Sequence, residues 1–198
     1  MTFNNKGGRI MPRIAPIAWS DLDEEARRRI EEGTVSGMYR MTLPLQIVAH
    51  SPNALRGMDE GYKAVFGCSA IGSRLQELMR LRSAQLGSCA PCSISRKDDS
   101  LTEADVACLS DPSSGSYTKR ERLAILTVDL MASDHHAMDD DFIREMAKVF
   151  TVEEIVEIGW YAGQVVGGHR FMHMLDALGE AAPVIGAEPD TALRSSAA

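Results

Sequence analysis

The 198-residue chain is short of several things. It has four cysteines, two tryptophans and 6% aromatic residues, and it has no excess of positive charge. Its 21 Lys and Arg stand against 28 Asp and Glu, for a formal net charge of −7. An acidic balance of this size argues against a nucleic-acid backbone or an anionic membrane surface as the main partner. The longest apolar run, "IVEIGWYAGQVVGG" at 155–168, is too short to span a bilayer and contains Glu157 and Gln164. The opening residues, "MTFNNKGGRIMPRIAPIAW", hold neither an apolar h-region nor a small-residue cleavage site, so no secretory signal is expected. A cytoplasmic protein follows as the expectation. Thiols stay reduced there, so four cysteines do not make a disulfide scaffold. Period-two alternation is nearly absent, and with it the signal for strands.

Helical patterning fills that space. With 44% hydrophobic and 25% charged residues, the chain can build one sizeable core. We expect a single all-α domain over 13–185, a mobile arm at 1–12 and a flexible tail at 186–198. Ser20-Asp21 precedes "LDEEARRRIEEG", with Gly33 as its stop. Ser100 to Glu103, Thr118 to Glu121 and Thr151 to Glu154 each have the spacing of a capping box. Asp139, Asp140 and Asp141 open "FIREMAKVF", where negative charge suits a helix N-terminus better than it indicates a metal site. Further helices are expected over about 44–50, 53–66 and 73–86, with a loop at 110–117.

The chemistry centres on "LGSCAPCSISRKDD", residues 86–99. Gly87 reads as a helix stop and Ser88 as the N-cap of the next helix. Cys89 then falls at the first helical position and Cys92 one turn on, with Pro91 tolerated in the first turn. A first-turn thiol feels the positive end of the helix dipole, which favours thiolate. Three readings compete: a redox dithiol, an inert pair and half of a metal site. Glu77 lies 12 residues before Cys89, about 18 Å along an unbroken helix. A break at Gly87-Ser88 would let the second helix fold back so that Glu77 faces the thiols. The plainer reading of Glu77 is an exposed member of the Arg74–Glu77–Arg80 charge cluster, paired at i,i+3.

"ELMRLRSAQLGSCAPC" resembles the signature of the carboxymuconolactone decarboxylase / alkyl hydroperoxidase D-like family, in which a glutamate precedes the first cysteine by the same 12 residues. "ERLAILTVDLMA…FIREMAKVFTVEEIVEIGWYAG" resembles the same family further along, so the likeness covers roughly residues 40–180. The resemblance implies an all-helical fold that assembles into homo-oligomers, trimers or hexamers. It implies a thiol-dependent peroxidase or dithiol-disulfide activity, with a hydroperoxide as substrate, an external thiol reductant and no bound cofactor. It also implies roles: Glu77 as proton-relay glutamate, Cys89 as first cysteine and Cys92 as the second, the one that meets peroxide. One position departs. The family's histidine four residues after the second cysteine is Arg96 here. An arginine can stabilise a thiolate from i+4, or pair on the surface, but it cannot accept a proton. The other branch of the family implies an alternative, a decarboxylase or lyase acting on a lactone or aromatic-derived acid.

Other candidates carry blander expectations. His169 and His173 share a helix face and could join Cys89 and Cys92 around zinc, giving a non-catalytic metal-stabilised oligomer. The simpler expectation is one interfacial and one solvated histidine, with no metal. His135 and His136 belong to a hydrated loop. Cys68 and Cys108 read as buried inert thiols. The 11 methionines are assigned to core or interface packing. Trp160 is assigned to core packing, with a pocket wall against the Cys89–Cys92 helix as the lesser alternative.

Overall fold

Aspartate and threonine side chains open most of the helices, because each can accept an N–H that the first turn leaves without an intrahelical partner. The computed structural model describes residues 12–66, 69–89, 92–93 and 95–176. Among these are eight α-helices and no strand. They are α1 (Glu24–Val35), α2 (Leu43–Val48), α3 (Pro52–Phe66), α4 (Ser73–Leu86), α5 (Glu103–Cys108), α6 (Lys119–Ser133), α7 (Asp140–Ala147) and α8 (Val152–Leu175). The fold class is therefore all-α, as the patterning implies. The expected arm and tail lie outside the described residues, Pro12 excepted. No helix among the described residues is long and apolar enough to cross a membrane.

Two helix boundaries differ from expectation. α1 is capped by Asp23, whose carboxylate accepts from the Ala26 N–H at 2.7 Å, and it runs through Gly33 to Val35. Gly33 does not stop the helix. The Tyr39 ring lies against its Cα, and any Cβ there would collide with that ring. α5 is capped by Thr102 rather than Ser100, because Asp105 accepts from the Thr102 N–H at 2.9 Å and its own N–H returns to Thr102 Oγ1. The Thr118–Glu121 box and the reciprocal Thr151–Glu154 pair form as the spacing implies. Asp139 caps α7 through the Phe142 N–H at 3.0 Å.

Contacts gather the chain into two compact units, one within residues 1–61 and 174–198, the other Tyr62–His173. In the first unit Ile30, Leu45 and Leu55 form apolar interior. Its buried charge is Asp59, which accepts from Arg29 Nη1 at 2.8 Å and from the Tyr39 hydroxyl at 2.9 Å. The bond to Asp59, with those to Glu25 and Glu60, raises the Arg29 pKa against the lowering effect of burial.

The second unit is built around α4. Nine of its 14 residues are buried, and they include Gln76, Glu77, Arg80 and Ser83. Leu75 and Met79 belong to an apolar cluster shared with α6 and α8, through residues such as Val128, Ile158 and Val165. Leu78 and Leu81 belong to a second cluster with Leu109, Tyr117 and Ile125. Apolar packing on both flanks leaves these four buried polar residues no route to water. Each must find its partner inside the protein.

Candidate functional site

The site begins where α4 ends. The Cys89 N–H donates to the Ala84 carbonyl at 2.9 Å, and the Ser88 N–H donates to the Gln85 carbonyl at 3.1 Å. This pair of bonds is a Schellman turn. Its left-handed residue is Ser88, at φ 51°, not Gly87. Ser88 thus closes α4 rather than capping the next helix. Gly87 serves a different need, since a Cβ there would sit 3.0 Å from His169 Cβ. The turn reverses the chain, so that Cys92, Ser95 and Lys97 lie beside α4.

Buried charge on α4 holds the returning segment. Arg80 donates to both oxygens of Glu77, each at 2.7 Å. It also donates to the Cys92 carbonyl at 2.8 Å and to the Ser95 carbonyl at 2.7 Å. Glu77 Oε1 accepts in addition from the Lys97 N–H at 2.9 Å. Glu77 is 2% exposed. The i,i+3 pairing of the plainer reading is present, but its exposure is not: the pair is interior. A planar guanidinium suits this task, since its fixed fork of donors can serve a carboxylate and two carbonyls at once. Neither cysteine sulfur is among the partners of Glu77.

Cys89 and Cys92 form a disulfide, with Cα atoms 5.3 Å apart. Cys89 precedes a short helical turn: its carbonyl accepts from the Ser93 N–H at 2.9 Å, and its Sγ accepts from the Cys92 N–H at 3.3 Å. Cys89 is therefore in the cap position, one residue earlier than the sequence suggests. Cys89 is buried, whereas Cys92 is half-buried. Pro91 lies outside the described residues.

His169, from α8, backs the turn. Its Nδ1 lies 2.8 Å from Ser83 Oγ, and it is buried beside Gly87. Burial, with the positive charge of Arg80 and Lys97, lowers its pKa from 6.5 to about 4, so the ring is neutral at pH 7. Tyr62 and Tyr161 complete this polar interior. Burial raises both phenols above their ordinary value, against the lowering effect of Arg80. His173, one turn beyond His169, is exposed.

Arg96 is turned to other partners. It pairs with Glu103, at 2.9 and 3.1 Å, and donates to the Ser93 carbonyl at 2.6 Å. Cys108 is a free thiol, half-buried against the Leu78–Ile125 cluster rather than fully buried. Cys68 lies outside the described residues. His135 and His136 stack on each other, 4.1 Å between ring centroids, in the connection between α6 and α7. No group of three or more metal-ligating side chains occurs among the described residues.

The sequence pairs Glu77 with Arg80 at i,i+3 and offers the thiols as its other neighbour, but it gives Arg80 no part in holding the Cys92 segment and gives Ser83 no role. The available signal was that Gln76, Glu77, Arg80 and Ser83 fall among Leu75, Leu78, Met79, Leu81 and Ala84, the apolar positions through which α4 is buried.

No family model matches the sequence, and no curated protein does. Solved structures do match. One is an uncharacterized peroxidase-related protein from Ralstonia eutropha JMP134 with an alkylhydroperoxidase AhpD core. Its TM-score is 0.73 at 14% identity, over 86% of this chain and 93% of that one. A protein of unknown function from Agrobacterium tumefaciens, associated by name with AhpD and antioxidant defence, has a TM-score of 0.55 at 24% identity, over 65% and 91%. The debrominase Bmp8 has a TM-score of 0.68 at 15% identity, over 83% and 90%. A cysteine-to-alanine variant of Bmp8, in complex with 2,3,4-tribromopyrrole, matches at 17% identity. The chain has the AhpD-like helical fold.

Proposed function

We propose that the protein is a thiol-dependent oxidoreductase that reduces hydroperoxides through Cys89 and Cys92. The observation that carries this reading is the Cys89–Cys92 disulfide at the reversal after α4, with one sulfur buried and the other half-buried. In the reduced protein, the Cys92 thiolate attacks the outer oxygen of the hydroperoxide. The S–O bond forms, the O–O bond breaks, and the alcohol leaves after taking up a proton. Cys89 then attacks the Cys92 sulfenic acid and expels water. The sum is one hydroperoxide and two thiols giving alcohol, water and disulfide. An external dithiol, available in a reducing compartment such as the cytoplasm, restores the pair by exchange.

The surrounding residues act by position. Arg80 fixes the Cys92 and Ser95 carbonyls, and Glu77 fixes Arg80. Arg96 fixes the Ser93 carbonyl from the other side. With Glu77 held in the ion pair, it serves as a positioning residue rather than as the proton carrier implied by the family resemblance.

The test is peroxide turnover with a dithiol reductant, with Cys68 and Cys108 replaced by Ser. Cys92→Ser should abolish turnover. Cys89→Ser should retain the first step and accumulate a sulfenic acid that dimedone labels. Undiminished turnover in either variant refutes the mechanism.

The likeness to a debrominase favours a second reading of the same thiols. Two thiols and an aryl bromide give the reduced ring, hydrogen bromide and the disulfide. Bromide release from a bromopyrrole, with no turnover of peroxide, would select it. A lyase acting on a lactone or aromatic acid needs no disulfide, so full activity after thiol alkylation would move the assignment there.

A further inference from the structure

We propose that the Ser83 hydroxyl, oriented by His169, is a hydrogen-bond donor to the Cys89 thiolate in the reduced protein. The inference rests on the thiol reading above and deepens its second step. There Cys89 attacks the Cys92 sulfenic acid as a thiolate. The S–S bond forms, the S–O bond breaks, and the departing hydroxide takes up a proton to match the one Cys89 released. Yet Cys89 is 6% exposed. Burial in apolar surroundings disfavours a thiolate unless donors face it. One donor is present, since the Cys92 N–H reaches Cys89 Sγ at 3.3 Å. The arginines nearby are directed elsewhere. Arg80 is shared among Glu77 and the Cys92 and Ser95 carbonyls, and Arg96 pairs with Glu103 and the Ser93 carbonyl.

The turn that ends α4 offers a second donor. A Schellman turn commonly packs the side chain after its left-handed residue against the residues five and six positions earlier. Here the left-handed residue is Ser88, the side chain after it is Cys89, and the earlier residues are Ala84 and Ser83, both buried. Ser83 Oγ lies 2.8 Å from His169 Nδ1. His169 is seated against the same turn, its Cβ 3.0 Å from the place a Cβ on Gly87 would occupy. With the ring proton on Nδ1, the imidazole donates to Ser83 Oγ, and the hydroxyl hydrogen is left to point at the sulfur. A neutral ring is enough for this task. The charged and titratable groups around the pair are Glu77 and Arg80 on α4, Lys97 on the returning segment, and the Tyr62 and Tyr161 phenols. Burial raises both phenols and lowers His169 to about 4. Neither the phenols nor the imidazole therefore obscures a thiol titration between about pH 6 and 9.

The experiment is the alkylation rate of Cys89 against pH, in reduced protein with Cys68, Cys92 and Cys108 replaced by Ser. Ser83→Ala should move the midpoint up, so that alkylation below it falls about tenfold, while the rate of the fully ionised thiol stays within about twofold. Ser83→Thr keeps the hydroxyl and should restore most of the loss. His169→Leu should shift the midpoint in the same direction as Ser83→Ala. His169→Asn keeps a donor near the place of Nδ1 and should shift it less. A merely structural role would alter access to the sulfur, and so the rate at high pH, without moving the midpoint. The proposal is overturned by an unmoved midpoint in Ser83→Ala, by an equal shift in Ser83→Thr, or by a shift that His169→Leu does not share. With Cys92 restored, a peroxide pulse should close the disulfide more slowly in Ser83→Ala, while the sulfenic acid appears at the wild-type rate. A shifted midpoint with no peroxide-driven disulfide in the unchanged chain keeps the donor pair and refutes the peroxidase reading instead.

Discussion

Replacing Glu77 by Gln separates two roles that the sequence alone leaves entangled. In the folded protein the Glu77 carboxylate neutralises Arg80 and accepts the Lys97 N–H, all within the interior. A glutamine keeps one acceptor oxygen but turns an amide donor toward guanidinium donors, and it leaves the Arg80 charge without a counterion. Removing one partner of a buried pair costs about 3–5 kcal/mol. For a chain of this size that lowers the melting temperature by roughly 6–20 °C. It is also a large part of a typical folding free energy of about 5–15 kcal/mol. Urea unfolding of oxidised protein should therefore show a lower midpoint with an unchanged slope. The paired change Glu77→Leu with Arg80→Met should recover more than half of the loss, because a well-packed apolar pair often replaces a buried ion pair at little cost. It should still leave the Cys89–Cys92 segment poorly held, as the Cys92 and Ser95 carbonyls lose their donors. The reasoning fails if Glu77→Gln loses less than about 1 kcal/mol while abolishing peroxide turnover. That outcome would make Glu77 a proton carrier at the thiols and the ion pair incidental.

Two further predictions concern the same region. His169 has a folded pKa of about 4 against 6.5, lowered first by burial and then by Arg80 and Lys97. The unfolded chain therefore takes up this proton first as pH falls. Stability should be fully present above pH 6.5, fall by up to about 3 kcal/mol as pH drops toward 4, and then level with respect to this group. His169→Gln should flatten that slope in urea titrations, and an unchanged slope would assign it to other groups. Arg96 pairs with an exposed carboxylate, so Arg96→Gln should change stability by less than about 1 kcal/mol. If it instead shifts the pH dependence of Cys92 alkylation strongly, Arg96 acts on the thiolate as well as on the Ser93 carbonyl.

Much of the fold was legible locally. Helix starts follow from side chains that reach their own first turn, so the Thr118 and Thr151 boxes could be placed from spacing. Where two candidates competed, neighbours decided. Ser100 lost to Thr102 because Asp105, not Glu103, carried the reciprocal carboxylate. Gly33 was misread because its small size answers to Tyr39, a packing partner six residues on, rather than to a helix end. The boundary between the two units falls inside α3 and α8, where no linker composition marks it.

By itself, the sequence determined the all-helical class, the break after α4 and the nearness of Cys89 to Cys92. Each of these depends on residues a few positions apart, whose geometry the backbone fixes. Only the tertiary structure decided the state of Glu77. A carboxylate on α4 can be a solvated surface charge, a proton relay or half of an interior ion pair, and its identity does not choose among these. Apolar clusters on both sides of α4 exclude water from it, and a charge without water takes the nearest cation. That cation is Arg80, and through it the interior of the second unit sets where Cys92 lies.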